Sequence, residues 1–236
     1  MNEAISKDKA SNVSAITGSQ VAARLSFGAA VIMLALLGAL HILSPEYAPS
    51  WRMVSEYARG QYGWVLSLMF ASWAVSAWTL AYAIWLEVKT TGGKIGLVLL
   101  VIAGIGEAMG GLFDINHPLH GLAAMIGIPT FPIAAMLISV SLSRTQRWSG
   151  ARKALLWTAN LTWISVLLMA GTFIIMIVTY TQAGGDMTAE ATTVTTLPSG
   201  VIALVGWANR FLVVVYNAWV MVVASYAAQV TSSNSS

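Results

Sequence analysis

The chain has 236 residues, of which 57% are hydrophobic and only 9% are charged. A soluble domain carries charge on about a quarter of its residues, so this composition excludes an ordinary soluble protein. The formal net charge is +3, but the 12 Lys and Arg residues form no basic run. They therefore argue against a nucleic-acid partner and for a role in membrane topology. The sequence has no cysteine, which excludes disulfides, thiolate metal sites and palmitoylation.

Six long apolar segments follow one another along the chain. A span needs about 20 apolar residues, because a helix rises about 1.5 Å per residue and the hydrocarbon is about 30 Å thick. The sequence therefore predicts an all-α, polytopic membrane protein whose six transmembrane helices form one compact bundle. The predicted spans are Val21–Leu43, Gly63–Leu86, Ile95–Phe113, His120–Leu142, Ala154–Tyr180 and Gly200–Ala228.

The segments outside the spans predict the orientation of the bundle. Two basic residues, Arg52 and Arg59, lie on one side, and nine lie on the side of the termini: Lys7, Lys9, Arg24, Lys89, Lys94, Arg144, Arg147, Arg152 and Lys153. The positive-inside rule then places both termini in the cytoplasm, and we expect the protein in the cell (plasma) membrane. Residues 1–20 and 231–236 are expected to be disordered tails of a single domain, residues 21–230.

The first connection and two of the spans carry further local signals. The connection between spans one and two is too polar to cross the membrane, and after Pro49 it predicts a short interfacial helix. Gly106 and Gly110 form a small-xxx-small pattern, which favours close packing of helices. Pro129 and Pro132 predict a kink in span four that would open a cavity.

Polar residues at membrane depth are functional candidates by default, because hydrocarbon penalises them. Under the predicted topology nearly all of them lie toward the outer side. Glu107 and Asp114 are two helical turns apart, so they share one helix face, and the same holds for Arg210 and Asn217. Since an unpaired charge at that depth is costly, we expect Arg210 to pair with Glu107 or Asp114.

One interpretation of these residues is a hydrolytic zinc site. Imidazole and carboxylate are zinc ligands, and zinc would activate a water molecule, although the spacing matches no strong zinc signature. The metal ligands would be His41, Asp114, His117 and His120, and the catalytic candidates are Ser55, Glu56 and Glu107.

The other interpretation is a structural or ligand-binding polar network. In that case His41 lies at an interface where its tip reaches water, and His117 caps span four. The network would comprise Asp114, Asn209, Arg210 and Asn217.

The order of four motifs resembles one family: HILSP, SEYARGQYGW, GGLFDINHPLHG and GWANRF. The chain resembles the bacterial and archaeal domain-of-unknown-function 998 family over about residues 25–228. The resemblance implies that Ser55, Asp114, His120 and Arg210 occupy positions that members usually share, whereas Asn209 stands where Glu or Gln is common. The family is regarded as related to eukaryotic multi-span proteins of the Frag1/DRAM type. It has no established activity, so the resemblance implies an architecture and candidate positions.

Three functions fit this pattern. The first is a non-transporting membrane protein whose outer polar pocket binds a lipid head group or a similar small ligand, with membrane lipids as its partners. The second is a metal-dependent intramembrane lipid hydrolase, and the third is a small-molecule transporter. Bound metal would favour the second function, and a water path from both sides would favour the third. A pocket that closes before mid-membrane would favour the first.

Overall fold

The structure, a computed structural model, describes residues 2–115, 117–186 and 194–232, with side chains described from residue 17 to residue 230. Six helices in these ranges are long and apolar enough to cross a membrane. The prediction of an all-α, six-helix membrane protein is confirmed. The helices are α1 (Asn2–Leu43), α2 (Gly63–Ile84), α3 (Thr91–Leu112), α4 (His120–Ser143), α5 (Arg152–Gln182) and α6 (Val205–Ser232).

The helix boundaries lie within four residues of the predicted spans, with two larger differences. α6 begins at Val205 and not at Gly200, because Gly200 has φ +92°, which cannot continue a right-handed helix. α1 begins at Asn2, although a disordered tail is predicted there; residues 2–17 contain neither Gly nor Pro, so nothing ends the helix. Of the predicted C-terminal tail, residues 233–236 lie outside the described residues.

The helices form a closed ring in chain order. Each helix packs against the next, α6 returns to α1, and α2 also contacts α6 across the middle. We call the end of the bundle that carries the chain termini the proximal end, and the opposite end the distal end. Under the predicted topology the distal end is the outer one.

A short helix occupies each end of the bundle. The distal 3₁₀ helix (Val54–Arg59) lies in the connection for which the sequence predicts a short helix. The proximal 3₁₀ helix (Gln146–Ala151) precedes α5. At the proximal end Arg147 Nη1 lies 3.0 Å from Glu87 Oε1, and the indole of Trp148 donates to the same carboxylate.

Close packing of α3 on α4 depends on Gly106. A Cβ at this position would lie 2.5 Å from the backbone nitrogen of Gly127 and 2.9 Å from the carbonyl oxygen of Ala123. The backbones of the two helices therefore approach at a distance that no side chain allows. Gly110, one turn further, packs against the ring of Phe70 on α2.

Pro132 removes one backbone hydrogen bond from the middle of α4, and a side chain of α6 replaces it. Pro132 has no N–H, so the carbonyl of Ile128, four residues earlier, loses its helical partner. The hydroxyl of Tyr216 donates to that carbonyl at 2.7 Å. In hydrocarbon each backbone polar group must find a partner within the protein, and Tyr216 provides it here.

Candidate functional site

A cavity of about 270 Å³ lies at the distal end, inside the ring. Helices α2 to α6 all contribute to its lining, and the start of the distal 3₁₀ helix covers it. We call it the distal cavity. Four sequence candidates line it, namely Ser55, Glu107, His120 and Asn209, so residues from distant parts of the chain do meet. A second cavity, of about 340 Å³, lies beside it and shares Met53 and Ile115 as lining residues.

The roof of the distal cavity is formed by Met53, Val54 and Ser55. Asn209 on α6 holds this roof, because its Oδ1 accepts the backbone N–H of Val54 at 2.9 Å. Its Nδ2 lies 3.5 Å from the sulfur of Met169 on α5. Asn209 therefore connects the roof to α5 and α6. A Glu at this position has no side-chain amide and could not donate to Met169 in this way.

Arg210, the next residue on α6, is buried and holds the connection from α1 to α2. Its Nη1 donates to the carbonyl oxygens of Arg52 at 2.6 Å, Gly206 at 3.0 Å and Pro49 at 3.4 Å. Its Nη2 donates to the hydroxyl of Tyr57 at 2.9 Å. All of these acceptors are uncharged, so backbone dipoles compensate the guanidinium charge.

The Nε–H of Arg210 determines which tautomer His41 adopts. The Nε–H of Arg210 donates to His41 Nε2 at 2.7 Å. Since Nε2 accepts, the proton of a neutral imidazole is on Nδ1, which lies 2.7 Å from the carbonyl oxygen of Leu37 and donates to it. Both ring nitrogens are occupied, so His41 has no lone pair left for a metal.

The predicted ion pair of Arg210 with Glu107 or Asp114 does not form. α3, which carries Glu107, packs on α2 and α4, whereas α6 packs on α1 and α5, so the two side chains face different neighbours. Glu107 lines the distal cavity and is only 5% exposed. Its Oε2 is buried and has no hydrogen-bond partner in the described chain. A buried carboxyl oxygen without a partner is uncommon and points to a ligand or water at that place.

Trp73, which also lines the cavity, carries a second buried polar atom that has no partner in the described chain. The indole nitrogen of Trp73 on α2 is buried and also lacks a partner within the described residues. Its ring stacks on Phe70 at 6.1 Å and meets Tyr216 edge-on at 6.2 Å. One wall of the cavity is therefore aromatic, with one unsatisfied donor, and Glu107 supplies an unsatisfied acceptor.

Tyr216 forms the floor of the cavity, toward the middle of the bundle, and further aromatic rings pack against it. Phe131 lies against Tyr216 with ring centroids 4.2 Å apart, and Trp219 meets Phe131 at 5.6 Å. Phe131 and Trp219 are fully buried, and the indole of Trp219 donates to Ser139 at 2.9 Å. Asn217 is also buried but does not line the cavity; its Nδ2 donates back to the carbonyl of Val213.

The predicted catalytic carboxylate Glu56 is engaged within the distal 3₁₀ helix. Its Oε1 accepts the N–H of Met53 at 2.8 Å, and its Oε2 lies 2.7 Å from Nη1 of Arg52. Arg59 lies 3.7 Å away. The carboxylate faces the second cavity and not the distal one. Its observed geometry is that of a helix cap with two cationic neighbours.

The four predicted metal ligands do not converge. Among the described residues no group of three or more His, Asp or Glu side chains is placed to hold a metal ion. Asp114 is exposed beyond the end of α3. The exposed His117 stacks on Phe113 at 4.4 Å and accepts the N–H of Leu119 in the turn before α4. Leu119 is the N-cap residue of α4 and no side chain caps this helix, so the predicted capping role of His117 is wrong. The residues therefore do not fit the predicted zinc site.

His120 differs from the other histidines because it lines the distal cavity. Its Nδ1 lies 2.9 Å from the carbonyl oxygen of Phe113 and donates to it in the neutral ring. That bond fixes the tautomer and leaves Nε2 as an acceptor.

Sequence reasoning missed the aromatic wall and the partners of Arg210. The sequence does contain residues that indicate such contacts, because a buried Trp or Tyr has a polar tip that needs a partner. They are Trp73, Tyr57 and Tyr216. Gly206 is a further residue whose role the sequence analysis did not identify. A Cβ at this position would lie 2.4 Å from the carbonyl oxygen of Pro49 and 2.7 Å from that of Arg52. This glycine lets the connection approach Arg210.

The fold defines an integral, polytopic α-helical membrane protein, and a partly open cavity lies at one end of its bundle. The chain belongs to the family described as protein of unknown function (DUF998), whose family model matches residues 27–226. That range includes every candidate residue described above. Neither the comparison with curated proteins nor that with solved structures returned a match.

Proposed function

We propose that the protein is a binding protein of the cell membrane, and that the distal cavity holds a small amphiphilic ligand or the head of a lipid. The observation that carries this proposal is that Glu107 and Trp73, each with a buried polar atom that has no partner among the described residues, both line one cavity with apolar and aromatic walls. Ligand sites are typically apolar clefts with a few convergent polar groups. A volume of about 270 Å³ exceeds that of several water molecules, each about 30 Å³.

The aromatic packing at the floor of the cavity supports binding over transport. A transporter needs a path that reaches the other side of the membrane, whereas Tyr216, Phe131 and Trp219 stack directly beneath the cavity. Under the predicted topology the ligand comes from the outer leaflet or from outside the cell.

Hydrolysis of the bound molecule is the second candidate function. The observation that favours it is that Ser55, Glu107 and His120 line the same cavity, and that His120 presents Nε2 as an acceptor. Incubation of the purified chain with fluorogenic acyl esters tests it, beside Ser55→Ala and His120→Gln. Turnover that both substitutions abolish would establish the hydrolase, and absence of turnover with metal supplied would exclude it for these esters.

The binding function is tested by filling the cavity. Ala124 on α4 lines the cavity and is partly exposed, so Ala124→Phe places a ring in the space without removing a contact. The matched control is Ala71→Phe on the exposed face of α2, outside the cavity. Native mass spectrometry of the purified chain should find a bound mass on the unsubstituted protein and on Ala71→Phe that Ala124→Phe has lost. Equal bound masses on all three would contradict the proposal.

A further inference from the structure

The chemistry of the distal cavity is asymmetric in charge. Glu107 is its one acidic residue, and the described lining contains neither Lys nor Arg. Arg210 follows Asn209 in the sequence but does not line the cavity, and its three nitrogens donate to His41, Tyr57 and backbone carbonyls. A ligand whose buried part is an anionic phosphate or carboxylate would therefore meet a carboxyl group and no cation.

The same lining suits a cation. An unpaired carboxylate at membrane depth is costly, and a cationic partner removes most of that cost. Trp73, Tyr216 and Phe70 line the same cavity, and aromatic rings attract ammonium groups.

We infer that the ligand of the distal cavity carries a protonated amine held by Glu107 and an apolar body that lies against Trp73 and Tyr216. This inference rests on the proposed binding function and adds the chemical class of the ligand. Such an amine is found in free long-chain amines and amino alcohols, and also in aminoethyl lipid head groups, whose phosphate would then remain outside the cavity.

The test compares two probes of equal length on the full chain in a neutral detergent. Isothermal titration calorimetry with decylamine and with decanol should show that decylamine binds at least about tenfold more tightly, which corresponds to about 1.4 kcal/mol. Glu107→Gln keeps the shape of the side chain and should abolish that preference. Glu87→Gln, the same change at the proximal end, should retain it.

The outcomes separate this inference from the proposed function. Equal affinity of the unsubstituted chain for both probes, or an unchanged preference in Glu107→Gln, would overturn the amine and leave an apolar binding site. Binding of neither probe, together with equal bound masses on the unsubstituted chain and Ala124→Phe, would overturn both. The comparison on the unsubstituted chain needs no variant, so the inference can fail even if Glu107→Gln does not fold.

The source of the amine is distinguished in lipid nanodiscs. If it is a lipid head group, the unsubstituted chain should retain phosphatidylethanolamine over phosphatidylglycerol, and Glu107→Gln should lose that selectivity. If it is a free amine, decylamine binds selectively while the two lipids are retained alike. Absence of both selectivities would contradict the inference.

Discussion

At the scale of single residues, the feature that most distinguishes this chain is a buried arginine held by uncharged acceptors. Arg210 is 5% exposed and uses three backbone carbonyls, a phenol and an imidazole. Such an arrangement depends on the planar fork of the guanidinium, which presents donors in several fixed directions. The neighbouring Asn209 positions the roof of the cavity, because its side chain accepts the backbone N–H of Val54.

Arg210→Lys is therefore expected to destabilise the protein although it conserves the charge. An ammonium group has three donors at one point and cannot reach acceptors on both sides, and each buried acceptor left without a partner costs about 1–3 kcal/mol. Thermal unfolding followed by circular dichroism in detergent measures the effect. The matched control is Arg147→Lys at the proximal end, where Arg147 is 44% exposed and its ion pair contributes at most about 1 kcal/mol. Equal shifts in the two variants would contradict the account of Arg210.

The sequence identified Arg210 and His41 as important residues but assigned Arg210 the wrong partner. Charge complementarity alone suggests a carboxylate, and Glu107 lies at a comparable distance from the distal end of its helix. The deciding information is which helices are neighbours in the ring, and apolar spans without a polar face do not encode it.

At the scale of elements, α4 and α6 are joined by a hydrogen bond to the carbonyl of Ile128, which has no helical partner because residue 132 is a proline. The hydroxyl of Tyr216 occupies the place of the missing N–H of Pro132, and its ring forms the floor of the cavity. One side chain therefore contributes both to helix packing and to the shape of the site. The sequence predicted a cavity near Pro129 and Pro132, but it gave no indication that Tyr216 completes the backbone there.

A double-mutant cycle tests this connection. Tyr216→Phe keeps the ring but leaves the carbonyl of Ile128 unpaired, which should cost about 1–3 kcal/mol of unfolding free energy. Pro132→Ala restores an N–H at position 132, so Tyr216→Phe should cost clearly less in that background. Tyr82→Phe, on an exposed tyrosine of α2, is the control and should change little in either background. Strict additivity of Tyr216→Phe and Pro132→Ala would show that the two groups are independent.

At the scale of the whole molecule, the six spans and most of their boundaries could be predicted from composition and length. The hydrocarbon imposes a minimum length on each span and excludes charge from it, so the spans are visible in the sequence as long apolar segments. The predicted ends of the spans also placed nearly all polar residues toward one side, and four of the candidates, Ser55, Glu107, His120 and Asn209, line one cavity at that end. Which of the candidates would meet there was not predicted. The aromatic wall was not predicted either, because each span is apolar all round and periodicity does not show which side of Trp73 faces inward.

The orientation of the molecule is open to a direct test because the chain has no cysteine. Ser199→Cys introduces an exposed thiol at the distal end, and Ser149→Cys introduces one at the proximal end. With both termini in the cytoplasm, an impermeant maleimide should label Ser199→Cys in intact cells and Ser149→Cys only after lysis. The reverse pattern would invert the topology and place the distal cavity on the cytoplasmic side.

The measurement that tests the central claim most directly is photolabelling of the full chain with an alkylamine that carries a diazirine on its chain. Labelled residues are then identified by peptide mass spectrometry. If the distal cavity is a ligand site, the label should be saturable and should fall on its lining, above all on Trp73, Met169 and Tyr216. Label that does not saturate and falls only on lipid-exposed residues such as Ile42, Trp64 and Trp207 would contradict the claim.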